Sequence, residues 1–206
     1  MIDDPFRRAL PRFTAPLIRV YQGLGLTPNQ VTWLGFGTAC LAALAVARGA
    51  LLGALALWWL SRLFDGTDGI LARETGRSSD FGGYLDILLD MAAYSAMLLG
   101  FDARFPELHG RWMGMLALYV LCITSALALG SLEQGRSLPA RDDRRLRLGA
   151  GLAEGGETGI AYSAFLLLPA WLPQTTALWI ALLATTVVAR SLLARRLLAA
   201  PAGGPG

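Results

Sequence analysis

The 206-residue sequence contains no lysine, a single histidine and only two cysteines. Only 16% of its residues are charged, against about 25% in a typical soluble domain. That shortage excludes an ordinary water-soluble globule. Cys40 and Cys122 lie inside apolar runs without metal-ligand spacing, so they read as small buried hydrophobes. His109 stands alone in a polar segment and reads as a solvated residue. The opening residues MIDDPFRR lack the basic-then-apolar order of a cleavable signal peptide. The formal charge of +3 is modest, no nucleic-acid partner is expected, and no internal repeat is visible.

What the sequence does have is apolar length. Hydrophobic residues make up 54% of the chain, and they gather in runs of about 20 residues, enough to cross a bilayer core as a helix. The pattern predicts an all-α integral membrane protein with six spans at 29–47, 52–72, 82–101, 111–132, 149–170 and 174–193. Residues 4–24 mix Arg with Phe, Leu, Ile and Val at helical intervals and predict an amphipathic helix lying in the interface. Thr27 and Pro28 read as the cap and first residue of the next helix. Residues 1–200 are read as one membrane-embedded domain, and the tail at 201–206 as disordered.

Arginine placement gives the orientation. Arg7, Arg8, Arg12 and Arg19 precede the first span, and Arg73 and Arg77 follow the second. Arg136, Arg141, Arg144, Arg145 and Arg147 fall between the fourth and fifth, and Arg190, Arg195 and Arg196 close the last. Only Arg48, Arg104 and Arg111 land on the opposite side. The positive-inside rule then puts both termini in the cytoplasm, which requires an even number of spans, as six provides. Trp33, Trp112 and Trp171 lie near span ends as interfacial belt residues.

Four aspartates interrupt this apolar pattern in FDGTDGILARETGRSSDFGGYLDILLD. Asp65 and Asp68 are three apart, and Asp86 and Asp90 four apart, so each pair shares a helix face. A carboxylate at membrane depth costs at least a few kcal/mol and usually lines a cavity. Four converging acids need a cation to stay ionised together. Hard oxygen donors suit Mg²⁺ or Mn²⁺ rather than zinc. The turn from Glu74 to Phe81 joins the two helices as an antiparallel pair, with the acids toward the cytoplasmic ends. Gly69 and Gly82 would let a ligand approach the backbone, and Arg73 is placed to meet an anion, so the set describes a diphosphate site.

The series Asp65-x2-Asp68-Gly69-x2-Ala72-Arg73-x8-Gly82-x3-Asp86-x3-Asp90 is similar to the signature of the CDP-alcohol phosphotransferase family. Eight typed positions at fixed intervals make it a specific match, and the span layout and the Thr27–Thr32 stretch extend the likeness. The resemblance implies an inner-membrane, multi-pass enzyme of phospholipid biosynthesis, commonly a homodimer, with its site facing the cytoplasm. It would transfer a phosphatidyl group from CDP-diacylglycerol to a small polar alcohol by in-line displacement assisted by two divalent ions, releasing CMP. The small size and six spans resemble bacterial phosphatidylglycerophosphate and phosphatidylinositol-phosphate synthases. The likeness implies Asp65, Asp68, Asp86 and Asp90 as metal ligands, with Asp90 also the general base. It implies Asn29, Thr32, Asp68, Gly69, Ala72, Arg73, Ser79 and Gly82 as contacts of the CDP moiety.

The acceptor is less defined. Asp80 stands where relatives often carry a basic residue and Met91 where many carry Arg, which argues against a phosphorylated acceptor. Arg141 and Arg144, in the cluster ending at Arg147, either restore that charge or serve as a positive-inside anchor. Glu154 and Glu157 share a helix face and are either acceptor contacts or acids favoured by a helix N-terminus. Three other readings stand beside the main one. A soluble CDP-alcohol would reverse the donor and acceptor classes. A divalent-cation transporter would use the acids as an ion path, though such proteins tend to show inverted repeats. A structural ion network would pair the acids with Arg62, Arg73 and Arg77.

Overall fold

A computed structural model of the chain describes residues 14–135 and 155–199. The described residues are helical throughout their regular structure and contain no strand. The helices are α1 (14–23), α2 (Pro28–Ala47), α3 (Leu51–Glu74), α4 (Asp80–Arg104), α5 (His109–Gly135), α6 (Gly155–Leu167) and α7 (Leu172–Leu198). Short 3-10 turns occupy Pro106–Leu108 and Pro169–Trp171. Most helices run a few residues past the apolar stretch that announced them, because backbone hydrogen bonding continues into polar ends. The expected span 149–170 is the exception. Residues 149–154 lie outside the described residues, and α6 stops at Leu167 because Pro169 forces Leu168 out of helical geometry, at φ −123° and ψ 54°. Residues 4–13 of the expected amphipathic segment and the tail at 201–206 also lie outside the described residues.

The chain divides into two compact units, the first ending at Glu107 and the second beginning at Leu108. In the first unit α2 is the scaffold. Its buried face carries Val31, Thr32, Gly35, Ala39, Ala42, Ala43 and Val46, small enough to let both α3 and α4 lie close against it. A Cβ on Gly35 would stand 3.3 Å from that of Phe64 on α3, and a Cβ on Gly100 of α4 would overlap the Ala43 carbonyl oxygen. By contrast, α3 and α4 scarcely approach each other along their backbones. The short turn makes them consecutive and antiparallel, as the sequence predicts, but their close packing runs through α2.

The first helix is tied to this scaffold by one face. Thr14, Ile18 and Tyr21, at i, i+4 and i+7, are buried, and Ile18 and Tyr21 join Val31, Ile70 and Leu71 in a core cluster. The Tyr21 hydroxyl lies 3.3 Å from Thr67 Oγ1 on α3. Val20 and Leu24 stay exposed on the outer side.

In the second unit α5 packs against α7, and α6 against α7. Trp179 Nε1 donates to the Tyr119 hydroxyl at 2.8 Å. Arg190 is buried on α7, and its Nη1 donates to the Cys122 carbonyl at 2.5 Å and to Ser125 Oγ at 3.1 Å. These bonds satisfy polar groups that an apolar surround would otherwise penalise.

Among the described residues four helical stretches are long and apolar enough to cross a membrane: Pro28–Ala47, Asp80–Arg104, Pro106–Gln134 and Pro169–Leu198. Large apolar side chains such as Leu52, Leu99, Val120 and Leu178 point outward, as a hydrocarbon surround requires. The other two expected spans differ for physical reasons. The 24 residues of α3 are long enough, but from its middle onward it holds Arg62, Asp65, Asp68, Arg73 and Glu74. In α6 only 13 residues are helical among those described.

The contact at Gly100 is testable. Gly100→Ala should destabilise the protein by about 1–3 kcal/mol, since overpacking there must separate two backbones. Thermal unfolding in detergent should show a lower midpoint; an unchanged midpoint would contradict the close approach of α4 to α2.

Candidate active site

The site is assembled by helix ends. Thr27 caps α2 in a reciprocal box: its Oγ1 accepts from the Gln30 N–H at 3.4 Å, and Gln30 Oε1 accepts from the Thr27 N–H at 2.8 Å. With Pro28 at the first turn, this presents Asn29 and Thr32 on successive turns. The far end of α3 is closed by Gly76 at φ +65°, where the Gly76 N–H reaches the Arg73 carbonyl and the Arg77 N–H reaches that of Ala72. A side chain is disfavoured in that left-handed conformation, so glycine there sets a sharp stop. Three residues on, Ser79 caps α4 by accepting from the Gly82 N–H at 3.0 Å. The turn thus brings the end of α3 and the start of α4 to the same place as the start of α2.

Between these ends lies a cavity of about 160 Å³. Asn29, Thr32, Asp68, Gly69, Ala72, Arg73, Ser79 and Gly82 all line it, as does Asp86. Every residue expected to contact a CDP moiety therefore borders one space. Pro28, Arg77, Ser78 and Gly83 line it as well, and the sequence reading did not select them. The signal that was available is the polar run Arg77-Ser78-Ser79 between two acid-bearing helices. A Cβ on Gly82 would stand 3.2 Å from Ser79 Oγ and 3.3 Å from Asn29 Oδ1, so the missing side chain leaves room at the wall.

The carboxylates divide into two settings. Asp68 is buried and fixed by the protein: Thr32 Oγ1 donates to its Oδ2 at 2.6 Å, and the Gly69 N–H to its Oδ1 at 2.5 Å. Asp86 stands on the opposite wall. Asp65 and Asp90 are outside the cavity lining and meet Arg62 instead. The Arg62 guanidinium hydrogen-bonds to Asp90 Oδ1 and lies 3.4 Å from Asp65 Oδ2. All four acids are within electrostatic reach of one another, Asp65 facing the charges of Asp90, Asp86 and Asp68.

Arg73 and Arg77 border the cavity and form no ion pair among the described residues, whereas Arg62 does. The structural-network reading is thus met at Arg62 alone of the three arginines. Among the described residues no group of three acids converges closely enough to hold an ion. The donor chemistry nonetheless fits a hard divalent cation, since the set is all carboxylate and mutually repulsive.

Arg141, Arg144 and Glu154 lie outside the described residues, and Glu157 is half-buried in the first turn of α6, in the second unit. Asp80 is exposed in the first turn of α4, and Met91 is half-buried beside Asp90.

Known proteins resemble this chain along most of its length. The profile of a family described as CDP-alcohol phosphatidyltransferase matches residues 25–189. The inner membrane protein YnjF of Escherichia coli is 34% identical over 176 residues, covering 83% of this chain and 84% of its own. The archaetidylinositol phosphate synthase of Pyrococcus horikoshii is 31% identical, over 62% of this chain and 75% of its own. The crystal structure of Mycobacterium tuberculosis phosphatidylinositol phosphate synthase with CDP-DAG bound aligns with a TM-score of 0.65 at 25% identity. It covers 89% of this chain and 94% of the other. A profile matched from the cap of α2 into α7, over the same residues that build the cavity, makes the chain a member of the CDP-alcohol phosphatidyltransferase family, and hence a membrane enzyme that transfers phosphatidyl groups.

Proposed function

We propose that this enzyme transfers the phosphatidyl group of CDP-diacylglycerol to a hydroxyl of a small polar alcohol and releases CMP. The observation that carries the reading is the cavity itself, in which eight expected donor contacts from α2, α3 and α4 share one wall-to-wall space. A solved structure of similar fold has CDP-DAG bound, which supports the donor. Arg73 and Arg77 give the cavity positive charge for a diphosphate, and the Ser79 and Asn29 side chains offer polar contacts without charge.

In the reaction the acceptor oxygen bonds to the phosphorus of the phosphatidyl group. The bridging P–O bond breaks in line, and CMP leaves with the bridging oxygen. Asp90 takes the proton of the attacking hydroxyl. Asp65, Asp68, Asp86 and Asp90 would hold Mg²⁺ or Mn²⁺, two ions in the full site, which when bound neutralise charge on the diphosphate and the leaving group. Thr32 and the Gly69 N–H fix Asp68 so that its orientation is set before substrate arrives.

Six spans with both termini cytoplasmic would place this cavity at the inner face of the inner membrane, within reach of both a lipid donor and a soluble acceptor. The family match from 25 to 189 supports one catalytic domain across the chain. A homodimer is the assembly we expect.

Purified protein with Mn²⁺ or Mg²⁺ should release CMP from CDP-diacylglycerol in the presence of one member of a panel: glycerol 3-phosphate, inositol phosphate, inositol, serine or glycerol. Release only from a soluble CDP-alcohol with diacylglycerol would reverse the assignment, and ion flux without any CMP would favour a transporter. Asp90→Asn should lower turnover about 10²–10⁴-fold while CDP-lipid binding and folding persist. Asp65→Asn should raise the metal concentration needed for half-maximal rate; an unchanged metal titration removes Asp65 from the ligand set.

A further inference from the structure

Arg62 has a setting that the signature does not explain. Its side chain is only 9% exposed, although it carries a charge in an apolar helix. Two aromatic rings pack against adjacent sides of the guanidinium: its Cζ lies 4.5 Å from the centroid of Trp58 and 5.3 Å from that of Tyr94. Both rings are buried, and their centroids are 6.0 Å apart. Cation–π contact of this kind strengthens when the partners are desolvated. The spacing is regular. Trp58, Arg62 and Asp65 follow one face of α3 at i, i+4 and i+7, and Asp90 and Tyr94 follow one face of α4 at i and i+4.

The polar edge of the guanidinium is committed. Nη1 hydrogen-bonds to Asp90 Oδ1 and lies 3.4 Å from Asp65 Oδ2, and Nη2 donates to Ser61 Oγ at 3.2 Å. Nε makes no hydrogen bond among the described residues, so two terminal nitrogens and two rings fix the group. It is also a side-chain bridge from α3 to α4, helices whose backbones scarcely approach. Only one oxygen of Asp90 is engaged by Arg62.

From this geometry we infer that Arg62 is a positioning residue: seated against the paired rings of Trp58 and Tyr94, it holds Asp90 by Oδ1 and leaves Oδ2 to face the acceptor hydroxyl. The inference rests on the proposed role of Asp90 as base. Arg62 is also a fixed positive charge among four carboxylates, so it opposes divalent-cation binding electrostatically while improving the aim of the base. A residue with a merely structural role would support both functions together. Removing Arg62 should therefore separate them.

The experiment compares wild type with Arg62→Gln, Arg62→Lys and Asp90→Asn in detergent or nanodiscs. Mn²⁺ binding is read by the loss of the free-ion electron paramagnetic resonance signal without substrate, and turnover by CMP release. Arg62→Gln should bind Mn²⁺ about tenfold more tightly or better, because one positive charge has left the cluster. Its kcat should fall about 10²-fold, with the KM for CDP-lipid nearly unchanged. Arg62→Lys keeps the charge without the planar fork, so its Mn²⁺ affinity should stay near wild type while kcat still falls. It also serves where the Gln variant does not fold. Wild-type kcat in either variant overturns the positioning role, as does a parallel loss of Mn²⁺ affinity and turnover in Arg62→Lys that remains folded. An active Asp90→Asn would instead overturn the base assignment beneath it.

Discussion

The constraint on which the site depends is the cost of placing carboxylates among apolar helices. Each of Asp65, Asp68, Asp86 and Asp90 must be hydrogen-bonded, paired or bound to a cation, because water cannot do it at depth. The protein meets this unevenly. Asp68 is served by a hydroxyl and a backbone N–H, both on the cavity side. Asp65 and Asp90 are served by Arg62 at the inner end. Asp68 beside the cavity is thus oriented by neutral donors, while Asp65 and Asp90 behind it meet a permanent internal cation. That asymmetry gives chemically identical residues different tasks.

The second requirement is room. Three helices packed evenly would leave no space for a nucleotide between them. Here small residues on α2 let α3 and α4 come close to it, and the space between α3 and α4 is bridged by side chains rather than filled by backbone contact. The helix ends then give the cavity its polar wall: the Thr27 box, the Gly76 stop and the Ser79 cap each satisfy backbone groups locally. Exposed polar backbone there needs no burial, and the cavity opens where three such ends meet.

Much of this was legible in the sequence, for identifiable reasons. Span-length apolar runs set the helices, and Thr27 and Pro28 mark a boundary through local chemistry that does not depend on tertiary context, whereas the stop imposed by Pro169 went unread in the expected span 149–170. Among the cavity residues, Asp68, Gly69, Arg73, Gly82 and Asp86 were legible from a typed spacing on two helix faces, whereas Asn29, Thr32, Ala72 and Ser79 came through the family resemblance. Arg62 was weighed only as a partner in a structural network. Its three-residue spacing to Asp65 is visible in the chain, but its reach to Asp90 and its seat against Trp58 and Tyr94 depend on how two helices are rotated about a third. Periodicity carries no information about that rotation. The scaffold role of α2 was hidden for the same reason, since small residues look alike whether they face lipid or a neighbouring helix.

The Gly100 contact has a mechanical meaning beyond stability. Gly100 lies 14 residues beyond Asp86 on the same helix, roughly 20 Å along its axis at 1.5 Å per residue. α4 is held against Ala43 near one end and lies beside Asn29 near the other, so a shift at the Gly100 contact would be carried along the helix. A tilt of about 3° around it would swing the Asp86 end by roughly 1 Å, a displacement large enough to cost about two orders of magnitude in rate. A side chain added at Gly100, by forcing α4 away from that carbonyl, would therefore be felt in the aim of the carboxylates near the other end of the helix.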